Sequence, residues 1–453
     1  MQVGSTHNMK RIIQFIINPL FRSAKIPVNV PAENFWKNVN KQFRNNRLGV
    51  FSLRFLYFFI LLALLADILA NEKPLVAKYK NTVYFPVFRS YCVDLGLAQW
   101  QKELQNVDWK KINYQWSVFP PVPYAPTTLD MDNVHSVSPF GEQNIVSIRW
   151  RHWFGTDELG RDVLSGMIHG TRTALTVGIA AMGIASLFGI FIGALAGYFG
   201  DERLKISRAS VGMNILFFVL GIFWGFIARS YEITDALSVS FGKFFLQILF
   251  SIFIMLATLL AGNLFAIPFR FIPVLRKKIS VPVDLLISRF IEVVVSIPTL
   301  LLIISISAMV VHPSIYIVMV IIGLTSWPAI ARFMRAEMLR IRSLEYMEAT
   351  HALGYPEWRI ILRHAIPNAI APVLITIAFG IAAAILMEST LSFLGVGVSP
   401  ETVTWGSLLA GARQSPSVWW LAVLPGCAIF FTVTVFNLIG EALTDALDPK
   451  QKK

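Results

Sequence analysis

Histidine and acidic residues cluster between positions 152 and 169, where the sequence reads HWFGTDELGRDVLS and then IHGTRTAL. These side chains are of types that bind metal ions. A structural role is favoured over a metal site, because Thr156 or Asp157 can cap a short helix and Arg161 can pair with a neighbouring acid. The candidate ligands are His152, Asp157, Glu158, Asp162 and His169.

Two further ionisable residues lie within or beside apolar runs. Arg172 begins one run, and Glu388 lies about nineteen residues into another, so both are expected near the outer surface of a membrane. We hypothesise that they pair with each other or face an aqueous translocation path. The alternative is a carboxylate that reaches the outer interface without a functional partner.

A polar and basic passage at 340–372, RIRSLEYMEATHALGYPEWRIILRHAIPNAIAP, interrupts the apolar second half of the chain. Ser343 can cap a first short helix, and Gly354 suits the left-handed residue that ends it. Pro356 suits the start of a second helix, over about 357–365, which we expect to stop at Pro367. Two short helices fixed at an angle between apolar runs would act as a lever.

The sequence contains no recognisable catalytic motif. It lacks the G-x-x-x-x-G-K-[ST] phosphate-binding loop, the H-E-x-x-H zinc motif and a nucleophile elbow. Cys92 and Cys427 are too few for a disulfide framework. We therefore expect no enzyme activity and no cofactor bound by this chain, so any energy from ATP and Mg²⁺ must enter through another subunit.

The passage at 340–367 resembles the EAA loop of ABC importer permeases. The match reads Glu348-Ala349-Thr350, then Gly354, then Ile366-Pro367, with Thr350 in place of an alanine and Ile366 in place of a leucine. The resemblance implies that the first short helix docks into a groove of a separate ATP-hydrolysing subunit. The candidate coupling residues are Glu345, Tyr346, Glu348, Ala349, Thr350, Gly354, Tyr355 and Pro367.

Other segments resemble one branch of that family. The HWFGTDELGRDVLS stretch, and the loop with Gly395 and Trp405-Gly406, are similar to the C-type subunit of oligopeptide, dipeptide and nickel permeases. Residues 70–87 look like Yej-type peptide permeases. The resemblance covers most of 150–200 and 283–450, and it implies six spans of a type I importer.

Composition places the chain in a membrane. Of 453 residues, 55% are apolar, and the mean hydropathy is +0.59, so an all-α polytopic membrane protein is predicted. The net charge of +13 comes from basic residues in short loops between spans, which is the positive-inside pattern of membrane proteins. A nucleic-acid-binding surface is excluded because these residues do not lie together on one soluble domain. Trp405, Trp419 and Trp420 are expected in an interfacial belt, and Pro298 is a candidate span hinge.

About eight spans are predicted, with both termini on the cytoplasmic side of a bacterial inner membrane. An extra pair of apolar runs near 211–228 and 244–267 is interpreted as an inserted hairpin on the outside of the core, facing lipid or an accessory subunit. The predicted segments are a basic N-terminal segment at 1–47, a first span at 48–70, an outer loop at 71–171, a second span at 172–200, the inserted hairpin at 201–282, the permease core at 283–441 and a tail at 442–453.

The resemblance implies a set of partners for an importer, most simply of peptides. These are a second homologous permease subunit, two ATPase subunits, an extracytoplasmic substrate-binding protein and membrane lipid. Nickel or another small solute is the alternative cargo within the family. A secondary transporter is the alternative of another class, although it would need charged residues at mid-membrane and no lever.

Overall fold

The computed structural model describes residues 32–105, 107–239, 241–308, 314–396 and 402–447. The predicted N-terminal segment up to residue 31, part of the outer loop after Val396 and the last six residues of the tail lie outside this description. Seven described helices are long and apolar enough to cross a membrane, or eight if one bent pair forms a single span. The predicted all-α polytopic fold is confirmed.

The chain begins with helices that lead into and out of the first apolar run. The first helix lies within the predicted basic N-terminal segment, and its Val39 side chain is buried. Asn46 caps the first spanning helix by accepting a hydrogen bond from the Gly49 amide at 3.0 Å. These helices are α1 (Ala32–Asn45), α2 (Arg47–Leu64) and α3 (Ala66–Leu69).

The outer loop has a small fold of its own. A three-stranded antiparallel sheet of order β2-β1-β3 pairs Ala77 with Tyr84 on one side and with Ser117 on the other. The elements are β1 (Val76–Tyr79), β2 (Thr82–Tyr84), α4 (Pro86–Asp94), β3 (Trp116–Val118) and three short 3-10 turns at Lys102–Leu104, Met131–Asn133 and Ile148–Trp150.

The second spanning helix is the long axis of the core. Helix α5 (Val163–Phe199) has 37 residues and is therefore on the order of 55 Å long, more than a bilayer core requires. It begins nine residues before the predicted span at 172, because the Asp162 carboxylate caps it by accepting from the Ser165 amide at 2.7 Å.

The inserted hairpin is a distinct unit joined by a two-stranded ribbon. Its helices pack chiefly on each other; a Cβ at Gly262 would lie 2.8 Å from the Phe217 side chain. The ribbon, rather than extensive helix packing, joins it to the core. The elements are β4 (Lys205–Ser207), α6 (Arg208–Ile222) with a π turn (Phe223–Ile227), α7 (Ser230–Val239), α8 (Phe241–Phe269), α9 (Pro273–Arg276) and β5 (Lys278–Ser280).

The remaining helices form the core and carry the lever. Two of them, α10 and α11, are bent by 73° on either side of Pro298, so the predicted kink is a full break in the helix. The helices are α10 (Val283–Ser296), α11 (Thr299–Ala308), α12 (Ile315–Ile341), α13 (Glu345–Ala352), α14 (Glu357–Arg359) with a π turn (Ile360–Ala365), α15 (Ile366–Phe393), α16 (Trp405–Gln414) and α17 (Trp419–Leu447).

Helices α5 and α12 form the closest helix pair of the core. A row of glycines on α5 packs against α12: a Cβ at Gly193 would lie 2.4 Å from the Ala331 carbonyl oxygen, and one at Gly197 equally close to that of Arg335. Small residues allow two spanning backbones to approach this closely. The main hydrophobic core continues from this pair into α13, the first short helix of the 340–367 passage.

The tryptophans after Gly395 pack inside the protein, with one exception. Trp405 is 1% exposed and donates its indole N–H to the Met167 carbonyl, and buried Trp420 donates to the Thr156 carbonyl, both at 3.1 Å. Only Trp419 of the three is exposed. The predicted interfacial belt is therefore wrong for two of them, because their N–H groups have backbone partners in the interior.

Candidate functional site

The passage at 340–367 folds into a short finger between two spanning helices. Helix α13 ends where Gly354 adopts φ +74°, the left-handed conformation that was predicted. The Gly354 amide donates to the His351 carbonyl at 2.9 Å, and the Tyr355 amide to the Thr350 carbonyl at 3.3 Å. This pair of bonds is a Schellman motif, which fixes the direction of the chain as it leaves the helix.

The start of the finger differs from the prediction. Ser343 does not cap α13, because its hydroxyl donates back to the Arg340 carbonyl at 2.8 Å. Leu344 occupies the cap position without a side-chain bond. The acidic residues Glu345 and Glu348 lie in the first turn instead, where a negative charge favours the helix N-terminus.

The second finger helix does not stop at Pro367. Residues 357–393 form one continuous helix that is long enough to span, with a π turn at Ile360–Ala365 just before the proline. The Ile366 amide donates to the Ile361 carbonyl, five residues earlier. A π turn of this kind widens the helix locally. Pro367 is the second residue of α15, directly after the π turn, where a missing N–H is tolerated. The finger is therefore rigidly continuous with span α15.

One face of the finger belongs to the hydrophobic core. Met347 and Ile360 are fully buried and pack in the same cluster as Met338 and Ile341 of α12. Thr350, which stands where the EAA pattern has an alanine, is also buried, and its hydroxyl donates to the Met347 carbonyl at 2.7 Å. Movement of α13 would therefore require movement of the ends of the spanning helices.

A polar cluster links the finger to the end of α5. The buried Tyr198 hydroxyl donates to the Glu357 carboxylate, and it lies 3.4 Å from the His351 Nε2 atom. The His351 Nδ1 atom lies 3.7 Å from a Glu357 oxygen. We call Tyr198, His351 and Glu357 the Tyr198 cluster. Beside it, the Arg342 guanidinium donates to the Gly197 carbonyl at 3.3 Å.

The opposite face of the finger is exposed and of mixed character. Leu353 is 72% exposed and Trp358 60% exposed, with Tyr355 between them in sequence. Glu345, Glu348 and Ala349 are exposed on the same short helix. A projecting apolar tip beside carboxylates is typical of a surface that docks on another protein.

The bent pair is tied to α12 near the finger. The Asp284 carboxylate at the start of α10 receives a two-pronged bond from the Arg335 guanidinium, with one N–O distance of 2.6 Å. Bidentate pairs of this kind fix orientation as well as distance. Further along α10, Arg289 and Glu292 pair with each other at 2.7 Å.

Arg172 and Glu388 do not pair, which corrects the hypothesis drawn from the sequence. Arg172 bonds the Asp67 carboxylate at 2.7 Å and the Ala63 carbonyl at 2.8 Å, and so joins α5 to the end of α2. Glu388 is 1% exposed and accepts from the Ser392 hydroxyl at 2.6 Å. Each residue is satisfied by a neighbour that the sequence pattern did not indicate.

The histidine and acidic residues of 152–169 form a structural network. The buried His152 ring lies between Asp162, at 2.7 Å, and Asp130, at 3.1 Å. Burial lowers the pKa of His152, but its hydrogen bonds to the two carboxylates outweigh burial and raise the pKa above its ordinary value. The hydrogen bond from His152 lowers the pKa of Asp130 to about 2.

Among the described residues, no group of three or more His, Cys, Asp or Glu side chains is arranged so that it could hold a metal ion. Arg161 pairs with Asp157 at 2.6 Å, as predicted. Thr156 and Asp157 do not cap a helix, however; the Asp157 carboxylate accepts the Leu159 and Arg161 amides in a turn. His169 bonds the Ala70 carbonyl at 2.9 Å.

Sequence reasoning missed Tyr198 and Asp130. Tyr198 reaches Glu357 across 159 positions, and Asp130 reaches His152 across 22. Neither residue belongs to a local motif. Their only signal in the sequence is a polar group next to an apolar run, which does not identify its partner.

Two family models match the sequence of this chain. One, for the inner membrane component of binding-protein-dependent transport systems, matches residues 262–453 and so includes the whole finger. The other, for the N-terminal membrane domain of oligopeptide transport permease C, matches residues 34–85. A protein of Brucella suis named as a peptide transport system permease is 30% identical over 69% of this chain and 80% of its own length.

The chain belongs to the family of binding-protein-dependent transport permeases, the inner membrane components of ABC importers. An inner membrane ABC transporter permease, YejE of Escherichia coli, is 28% identical over 90% of this chain and 96% of its own length. A peptidoglycan transport system permease, YejE of Agrobacterium fabrum, is 26% identical over 92% of each chain. This permease is accordingly a multi-pass inner membrane protein of a family whose members work with ATPase and substrate-binding partners.

Proposed function

We propose that this permease forms half of the translocation pathway of an ATP-driven peptide importer, and that its finger docks into a separate ATPase subunit. The single observation that carries the proposal is the two-sided finger, which is buried on the side of Met347 and exposed at Leu353. The chain has no phosphate-binding loop, so ATP and Mg²⁺ are used by the partner subunits.

The exposed tip of the finger supports docking. Burial of a leucine side chain contributes about 1.5–3 kcal/mol, so capture of Leu353 and Trp358 in a groove would supply a substantial part of the binding free energy. Among the described residues, no basic side chain forms an ion pair with Glu345 or Glu348. Both carboxylates are therefore accessible to basic residues of a partner.

The buried side of the finger supports transmission. Nucleotide-driven movement at α13 would reach α12 through the core around Met347 and α5 through the Tyr198 cluster. The Asp284–Arg335 bond would carry it further to the bent pair at Pro298. Alternating access requires an element with two arrangements, and a broken helix next to these contacts is suited to that role.

Orientation follows from the number of crossings. If the bent pair is one span, eight crossings place residue 47, the base of the inserted hairpin, the finger and residue 447 on the same side. Basic residues are frequent at these places, which favours the cytoplasmic side for all of them. Both termini would then be cytoplasmic, and the sheet-containing outer loop would face the substrate-binding protein.

The names of two of the relatives favour peptides as cargo over nickel or another small solute. One of these names specifies peptidoglycan, so peptides released from cell wall belong in a substrate screen. A secondary transporter is disfavoured because such a protein needs no finger for an ATPase. The complete importer would contain a second homologous permease, two ATPase subunits and a substrate-binding protein.

The proposal is tested by copurification and by ATP turnover. The tagged permease should copurify with an ATPase, and turnover of the reconstituted complex should rise when the binding protein and a peptide mixture are added. Nickel ions and peptidoglycan-derived peptides are each tested as the added substrate in separate assays. Absence of any copurifying ATPase would overturn the proposal, whereas stimulation by nickel alone would change only the cargo.

A further inference from the structure

The base of the inserted hairpin is an antiparallel ribbon with two unlike faces. Lys205 lies opposite Ser280, Ile206 opposite Ile279 and Ser207 opposite Lys278. Because side chains alternate along a strand, Lys205 and Lys278 share one face with the two serines, and the isoleucines occupy the other. The sequence pattern alone gave no indication of this pairing across 73 residues.

Positive charge is concentrated on and beside this ribbon. Segments 201–208 and 270–280 contain seven basic residues against Asp201 and Glu202, a net charge of +5 (seven minus two). Arg270 bonds the Ser210 hydroxyl at 2.8 Å. We call the five exposed basic residues the basic ribbon: Lys205, Arg208, Arg276, Lys277 and Lys278.

The charge of the basic ribbon is not neutralised within the described part of the chain. Among the described residues, none of the five forms an ion pair with a carboxylate. The nearby Asp201 carboxylate accepts a hydrogen bond from the Leu285 amide at 3.0 Å. A cluster of this charge density requires counter-ions, and the described residues do not supply them.

Apolar side chains project next to the charges. Phe271 is 85% exposed, Val274 66% and Ile272 47%, and all three follow directly after the spanning helix α8. In water, such exposure would be unfavourable, but it is typical of residues that enter the boundary between headgroups and acyl chains. Charged and apolar groups therefore alternate at the end of a membrane span.

We propose that the basic ribbon and Phe271, Ile272 and Val274 form a binding site for anionic phospholipid, with the basic groups on the headgroup phosphates and the apolar groups among the acyl chains. Clusters of four to eight basic residues next to a span attract anionic lipid, and each basic residue near the surface strengthens the attraction about fivefold. The adjoining apolar residues favour a lipid surface over a soluble acidic protein. The site anchors the base of the inserted hairpin at the level of the lipid headgroups. The hairpin has little other attachment to the core.

The test measures lipid preference at the site itself. In full-length protein with C92S and C427S, Val274→Cys would carry a fluorophore in bilayer nanodiscs. Quenching by nitroxide-labelled phosphatidylglycerol, compared with labelled phosphatidylcholine, gives a local relative association constant. We expect a clear preference for phosphatidylglycerol that falls about tenfold or more in K277Q/K278Q and weakens at high salt.

A matched control removes the same charge elsewhere. K80Q/K111Q changes two exposed lysines of the outer loop, and it should leave the preference unchanged. Equal quenching by the two lipids, or the same preference in K277Q/K278Q as in the parent, would overturn the proposal. Loss of the quenching difference when the ATPase is added, with the fluorophore shielded from both lipids, would assign the surface to the protein partner instead.

Discussion

Replacement of Gly354 tests the geometry of the finger most cleanly. Gly354 has φ +74°, and a Cβ built there meets no atom within 4 Å. Substitution therefore introduces backbone strain without a steric clash. An alanine in the left-handed conformation costs roughly 1–2 kcal/mol, which corresponds to a factor of about 5–30 in an equilibrium.

We expect this strain to weaken docking of the ATPase by up to that factor. The order of affinity should be Gly354, then G354N, then G354A, then G354V, because asparagine tolerates the left-handed region and a β-branched residue does not. The measurement is the dissociation constant of the ATPase from the permease in nanodiscs, together with ATP turnover.

The control is Gly183→Ala in α5, which also meets no atom within 4 Å but has helical geometry. Alanine there should be neutral or stabilising by about 0.5–1 kcal/mol. The reasoning would be refuted by a G354A permease that binds the ATPase as tightly as the parent, or by G354N binding no better than G354V.

The further predictions concern packing, pH and the link to α5. Gly193→Leu should abolish stable folding, whereas Gly183→Leu should not, because only the first would clash with the α12 backbone; detergent thermal stability measures both. The raised pKa of His152 contributes stability that is fully present below about pH 6.5 and is lost as the pH rises through the pKa of the folded state. The thermal midpoint should therefore fall with rising pH, and H152Q should flatten that dependence. The lowered pKa of Asp130 acts oppositely, with stability lost as pH falls from about 3.8 towards 2, so acid destabilisation should shrink in D130N. Tyr198→Phe should leave ATPase binding intact but reduce peptide-stimulated turnover several-fold; unchanged turnover would exclude the Tyr198 cluster from transmission.

Local chemistry determined what the sequence could predict. Gly354 was assigned to the left-handed end of a helix because few other residues adopt that conformation, and the structure has it there. The long apolar runs likewise predicted the spanning helices. These features depend on residues close together in sequence.

Contacts between distant segments were the source of the errors. Arg172 pairs with Asp67, 105 positions away, and not with Glu388, since depth in the membrane does not specify which helix is adjacent. Pro367 was expected to end a helix, but the π turn before it allows the helix to continue. Trp405 was placed at an interface by its type alone, whereas its N–H group bonds the Met167 carbonyl inside.

Photocrosslinking from the finger tip tests the central claim most directly. A benzoylphenylalanine at position 353, where the leucine is 72% exposed, should form an adduct with the ATPase in the assembled importer. The same group at position 347, where Met347 is fully buried, should not. Adducts at position 353 with the substrate-binding protein, or with no subunit at all, would contradict the account, because the finger would then lie away from the ATPase.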